Sequence, residues 1–131
     1  MLGRFIVMFD EARGQQHIPL KQIEQLDRTV LEKLIPVRNR VIEIFRNDNW
    51  LMVLHPETGE KARLFETTDE KMFFFRMVNG RHTLLDLSSA IINRFDWEEK
   101  RAWALVKQVF LNMLKHGVLS IVNIPEELMQ E

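Results

Sequence analysis

The stretch Met72-Phe73-Phe74-Phe75-Arg76-Met77-Val78-Asn79-Gly80 decides the fold, together with its continuation through Thr83-Leu84-Leu85-Asp86-Leu87 to Phe95, and from Trp97 to Gly117-Val118-Leu119. Apolar residues recur at helical spacing in all three parts. Leu87, Ile91 and Phe95 stand four residues apart, and Trp103, Val106, Phe110, Met113 and Leu114 form a second stripe. Turn residues separate the parts at Asn79-Gly80 and Gly117. The pattern predicts helices over 68–78, 84–95 and 97–116. Thr67 and Glu70 have capping-box spacing, and Thr83 and Asp86 have the related Thr-x-x-Asp spacing. Asp96 is read as the cap of the third helix, with Glu98 and Glu99 in its positive first turn. Gly117 is read as its C-terminal cap, with residues 118–122 as a short closing strand.

Upstream, Val41-Ile42-Glu43-Ile44-Phe45 is β-branched and aromatic, Arg46-Asn47-Asp48-Asn49 is a turn cluster, and residues 50–54 form a second strand. Pro56-Glu57-Thr58-Gly59 suits a type I turn. Lys61-Ala62-Arg63-Leu64-Phe65 is then the last strand of a three-stranded antiparallel meander and lies at its edge. Strands followed by three short-linked helices give an α+β, winged-helix-like domain over 37–122. Residues 1–36 read as an N-terminal extension. Within it, 4–9 form a possible strand, Gly14-Gln15-Gln16 a loop, and 20–34 an extra amphipathic helix stopped by Pro36. Residues 124–131 read as an acidic, frayed tail.

Composition sets limits. The chain has 131 residues, 46% hydrophobic and 28% charged, which is ordinary for one globular domain. A formal net charge of −1 gives no global field for nucleic acid or an anionic membrane. No cysteine is present, which excludes disulfides, thiolate-held iron–sulfur clusters and a thiol nucleophile. No apolar run is long enough to span a bilayer, and Asp10 and Glu11 interrupt the apolar start. The expectation is a cytoplasmic, unprocessed chain.

Chemistry-bearing patterns are scarce, so no enzyme activity, metal or cofactor is expected. The four histidines, His17, His55, His82 and His116, are not paired at helical spacing, and none stands beside a carboxylate at metal-ligand spacing. Ser88-Ser89 lack a nucleophile-elbow context and read as small helix-surface residues. Asp69-Glu70 and Glu98-Glu99 sit at helix starts, where negative charge belongs. Phe73-Phe74-Phe75 cannot form one stacking platform, because helical neighbours point in different directions; core packing explains them better. DNA binding by the third helix is the alternative function. Against it, Lys100, Arg101, Lys107 and Lys115 are offset by Glu98 and Glu99, leaving little surplus charge for phosphates.

One positive signal remains. Ala102, Leu105 and Val109 lie along a shoulder of the third helix, beside Gln108 and Asn112. The strand 61–65 has a free edge nearby. An edge strand next to an apolar helix shoulder can receive an extended peptide, whose backbone pairs with the strand while alternate side chains enter the groove. The competing explanation is that residues 1–36 or 118–124 cover this shoulder within the chain. Likewise, the stripe Ile23, Leu26, Val30 and Leu34 either packs on its own domain or makes a homodimer, which would leave a structural dimerisation module as a further reading.

The meander, the helix closing on Asn79-Gly80, the run Thr83-Leu84-Leu85-Asp86-Leu87 to Phe95, and Phe110-Leu111-x-x-Leu114-x-x-Gly117-Val118-Leu119 together resemble the PqqD family. These are peptide chaperones of pyrroloquinoline quinone biosynthesis and of related radical-SAM peptide-maturation systems. The chain differs at Asn79-Gly80, where the family more often has Asp-Gly, and at Thr67-Thr68, where it often has Leu-Asn. The resemblance implies a recognition element that binds a precursor peptide's leader as an added strand and presents it to a radical-SAM enzyme. The peptide-binding residues it implies are Lys61, Ala62, Arg63, Leu64 and Phe65 with Leu105, Gln108, Val109 and Asn112. From the net charge and the short apolar runs, no nucleic-acid or membrane partner is expected.

Overall fold

The computed structural model describes residues 5–10 and 14–128, with side chains from Gln16 onward. The molecule is α+β. Strands β4 (Glu43–Asn47), β5 (Trp50–Leu54) and β6 (Lys61–Glu66) form an antiparallel meander in the order β4-β5-β6. Helices α3 (Asp69–Met77), α4 (Leu84–Phe95) and α5 (Glu99–Lys115) come after it and pack on one another. This is the strand-then-helix order that the hydrophobic periodicity predicts.

Local chemistry sets the element ends. Asp48, at φ 54, turns β4 into β5 through a two-residue hairpin. The next connection is longer than a type I turn, since the Gly59 amide donates to the His55 carbonyl at 2.8 Å, four residues back. The cap of α3 is Thr68 and not Thr67; its hydroxyl accepts from the Lys71 amide. Thr83 and Asp86 form a full capping box on α4, each bond 3.0 Å. Asp96 does not cap α5. It ends α4 in the left-handed conformation, and Glu98 takes the N-cap position of α5 without a side-chain bond. After α5, the Gly117 amide donates to Leu114 and the Val118 amide to Met113, a Schellman ending that needs Gly117 at φ +73.

The N-terminal third departs most from expectation. Residues 14–16 are not loop: β1 (Phe5–Asp10) and β2 (Gly14–Pro19) pair as a hairpin. The single helix expected over 20–34 is two short ones, α1 (Leu20–Glu24) and α2 (Arg28–Leu31). A further strand, β3 (Pro36–Arg38), spans the expected boundary at residue 37 and pairs antiparallel with β7 (Leu119–Ile121). Three of the four residues of the stripe on this region pack inside the chain, Val30 being the exception. Ile23 and Leu34 are fully buried, and Leu26 packs against the core. The tail is not wholly frayed, because Leu128 of a 3₁₀ turn over Glu126–Leu128 is buried; residues 129–131 lie outside the described residues.

Segment 32–39 is wired into the body. The Leu85 and Leu84 amides, which open α4, donate to the carbonyls of Glu32 and Leu34. Gly80 donates to Pro36, and Val122 to Ile35. The Asn123 side chain accepts from the Ile35 amide at 2.7 Å and donates to the Lys33 carbonyl at 2.8 Å. A Cβ at Gly80 would stand 3.3 Å from Val37 Cγ2 at φ +83, so the Asn79-Gly80 turn lets the two backbones approach. Arg28 ties α2 to α5, pairing with Glu99 and lying 4.8 Å over the Trp103 ring, one turn further along the helix.

A chain beginning at Val37 loses Ile23, Leu31 and Leu34 from the core. Truncating one such buried side chain costs about 2–5 kcal/mol, and a small domain has only about 5–15 kcal/mol to lose. The shortened protein is therefore expected to be unfolded at room temperature. Far-UV circular dichroism checks this, and a cooperative melt matching the full chain would show the segment to be dispensable. The Arg28–Glu99 pair adds a dependence on pH. The hydrogen bond from Arg28 holds the Glu99 carboxyl below its usual range. The pair's stabilisation is present above the unfolded carboxylate pKa and is lost as pH falls through the lowered value. The effect is small, because Glu99 is solvated. Glu99→Gln should reduce stability slightly at neutral pH and converge with the parent in acid when urea midpoints are compared, whereas Arg28→Ala should keep a residual deficit in acid from its lost stacking on Trp103.

Candidate functional site

An open groove of about 510 Å³ lies between the C-terminal half of β6 and the C-terminal half of α5. The meander order leaves β6 paired with β5 alone among the described residues, so its other edge faces this groove. A register shift opposite Leu51 and Met52 leaves Leu64 as an extra residue in β6. The bulge turns Leu64 and Phe65 inward in succession, breaking the alternation of a regular strand. Both form part of the groove wall.

From α5 come Gln108, Val109, Leu111 and Asn112. The Asn112 side-chain amide donates to the Leu64 carbonyl and clasps helix to strand. Gln108 is exposed beside it. Val109 is 3% exposed and belongs to the core, as does Ala102. Leu105 lies one turn nearer the start of α5, packs against the core and does not line the groove. The groove thus joins Leu64, Phe65, Gln108, Val109 and Asn112 of the expected set. Lys61, Ala62, Arg63 and Leu105 lie outside its lining.

The opposite rim lies outside the set expected from the sequence. Leu20 and Glu24 of α1 line the groove, along with Trp50, Glu66, Lys71 and Lys115. So α1 narrows the helix shoulder without closing it. The helical period of Gln108, Leu111 and Lys115 was the available signal for the α5 side; the contribution of α1 had none, because it depends on where a distant segment docks. Arg63 stacks on the Trp50 ring at 4.6 Å, and that contact holds the indole at the groove entrance. The charged groups of the rim are mixed in sign, with Glu24 and Glu66 against Lys71 and Lys115, so the groove carries no strong field of either sign.

Other expected features resolve differently. Phe73, Phe74 and Phe75 form no platform. Phe74 is fully buried, Phe73 meets Phe95 edge-on at 5.6 Å, and Phe75 is covered by Phe65 and by the Arg38 guanidinium. Ser88 is not a surface residue; it is buried on the core face of α4, while Ser89 is exposed. His55 and His116, far apart in sequence, come together with ring nitrogens 3.4 Å apart. No group of three His, Asp or Glu stands at metal-holding spacing among the described residues. Among these residues no helix is long and apolar enough to cross a membrane. Comparison of the chain with known protein families and with curated proteins finds no match.

The geometry separates two substitutions that look alike in sequence. Val109→Asp buries a carboxylate in the core and is expected to cost several kcal/mol, on the order of 3–5. Gln108→Glu changes an exposed side chain and should stay within about 0.5 kcal/mol of the parent. Urea denaturation of both variants checks the pair; equal midpoints would place Val109 at the surface.

Proposed function

We propose that this protein is a peptide-binding module, with no catalytic role of its own. It captures an extended segment, the leader of a ribosomally made precursor peptide, and presents it to a separate radical-SAM modifying enzyme. The observation that carries this reading is the groove bounded by the free edge of β6 and the Gln108–Lys115 face of α5. Strand addition suits that arrangement: backbone pairing supplies affinity irrespective of sequence, and pockets beside the edge select alternate side chains. The floor offered by Leu64, Phe65 and Leu111 takes apolar side chains, and Gln108 offers a polar contact at the rim. The likeness of the Thr83–Leu87 and Phe110–Leu119 motifs to PqqD-type proteins supports the same reading and adds the class of client and enzyme. A chain without cysteine leaves thiolate-held cluster chemistry to that partner.

The Asn112 clasp shapes how a peptide binds. The Leu64 carbonyl already accepts one hydrogen bond, so an added strand gains least at that position and most on either side of it. Binding then depends on register, which a bulged strand specifies more sharply than a flat one.

The test is fluorescence anisotropy of the full-length protein with a labelled leader peptide, chosen from a short peptide gene adjacent to a radical-SAM gene. Gln108→Trp fills the groove from an exposed position without touching the core. It is expected to weaken leader binding at least about tenfold, roughly 1.4 kcal/mol. A labelled DNA duplex should bind weakly and be released at physiological salt. Leader binding that Gln108→Trp leaves unchanged, or sequence-specific DNA binding that survives moderate salt, would overturn the reading.

A further inference from the structure

The meander has a second free edge, and a different surface lies beside it. Among the described residues β4 pairs with β5 alone, so its outer edge is open. Next to it is a pocket of about 560 Å³, bounded by β3, the 39–42 linker, β4 and the end of α3. Its floor is apolar, with Ile42, Ile44 and Val78. Its rim carries Arg38, Arg40 and Arg46. No aspartate or glutamate lines it, and none of the three arginines makes an ion pair among the described residues. For a chain of net charge −1, this is a concentrated cationic surface.

Two of the arginines, Arg38 and Arg46, are held by contacts that leave their charge uncompensated. Arg38 lies 4.9 Å over the Phe75 ring. Among the described residues Arg46 donates to the Asp48 carbonyl alone, a weak bond at 3.4 Å. The rim also displays apolar surface to water. Val41, between Arg40 and Ile42, is 82% exposed. Val122, which approaches Gly80 beside Val37, is 53% exposed. A cationic rim, an apolar floor and uncovered valines next to an open strand edge together describe a surface suited to a partner.

We propose that this pocket is a second docking site, and that its occupant is an acidic peptide segment of a partner protein. The segment carries Asp or Glu to meet Arg38, Arg40 and Arg46, and an apolar side chain to fill the floor between Ile44 and Val78. Charge complementarity fixes the sign of the occupant. The open edge of β4 fixes its form, an extended chain. The site lies at the opposite edge of the meander from the β6 groove, so both can be filled at once. It stands whatever occupies the β6 groove.

The experiment uses the full-length protein labelled with nitrogen-15 and a synthetic peptide of alternating glutamate and leucine as probe. Amide shifts are expected at residues 37–46 and 75–79, with those at 108–115 unmoved. Arg38→Gln combined with Arg46→Gln removes two charges at exposed positions and should weaken the probe about tenfold or more at low salt. Retained circular dichroism confirms that this variant is folded. A peptide of alternating lysine and leucine should not shift the same amides. Four results would overturn the proposal: shifts confined to the β6 groove, no binding at millimolar probe, equal binding of the lysine peptide, or inorganic phosphate alone reproducing the shifts with the strength of the acidic peptide.

Discussion

The amides that open α4 have nowhere within their own helix to bond, and the rest of the fold is arranged around that need. A helix begins with orphan donors. Here the Thr83–Asp86 box satisfies some, and the carbonyls of Glu32 and Leu34 satisfy the amides of Leu85 and Leu84. To deliver those carbonyls the chain must run past the start of α4, which places Leu31 and Leu34 in the core and sets Pro36 against the Gly80 amide. From there β3 runs antiparallel along β7. One local requirement at a helix terminus thereby fixes the path of a segment far away in sequence. The Asn123 side chain closes the same circuit from the other end of the chain.

How much of this was readable depended on how local the cause was. The capping box at Thr83, the Leu87–Ile91–Phe95 stripe and the glycine ending at Gly117 are short-range, and they predict α4 and the C-terminal end of α5 nearly to the residue, whereas the start of α5 lies two residues later than expected. The meander is also local, with turns only a few residues long. The stripe Ile23, Leu26, Val30 and Leu34 has helical spacing, yet the chain breaks between Glu24 and Arg28. Burying Ile23 against α5 while bringing the carbonyl of Leu34 to α4 demands a change of direction that one straight helix cannot make. β3 was invisible because its partner lies near the other end of the chain, at Leu119–Ile121. Gln15 and Gln16 carry no hydrophobic alternation, so nothing in them announced a strand.

The groove was legible in outline and misplaced in detail. An edge strand next to a helix shoulder follows from element order, but which shoulder depends on the rotation of α5 about its axis. Leu105, Gln108, Val109 and Asn112 lie close together around that axis. A small rotation decides that Val109 faces the core and Gln108 the solvent. The bulge at Leu64 was equally hidden, since consecutive buried residues in a strand look like ordinary hydrophobic content. What the sequence could not supply was the third wall. Leu20 and Glu24 reach the groove only because the N-terminal segment docks on α5, in part through Arg28 on Glu99 and Trp103.

A three-stranded sheet whose two margins are unpaired among the described residues is also a hazard to itself. Each margin displays amides and carbonyls that a strand from a neighbouring copy could pair with, and repetition of that event builds an aggregate. The charges along these strands act as guards. Lys61, Arg63 and Glu66 stand exposed on β6, and Glu43 and Arg46 on β4. A like copy approaching either margin must desolvate these groups or bring equal charges together. The side chains of these two strands thus oppose the self-association that their open backbones invite, and neutralising them would remove that opposition.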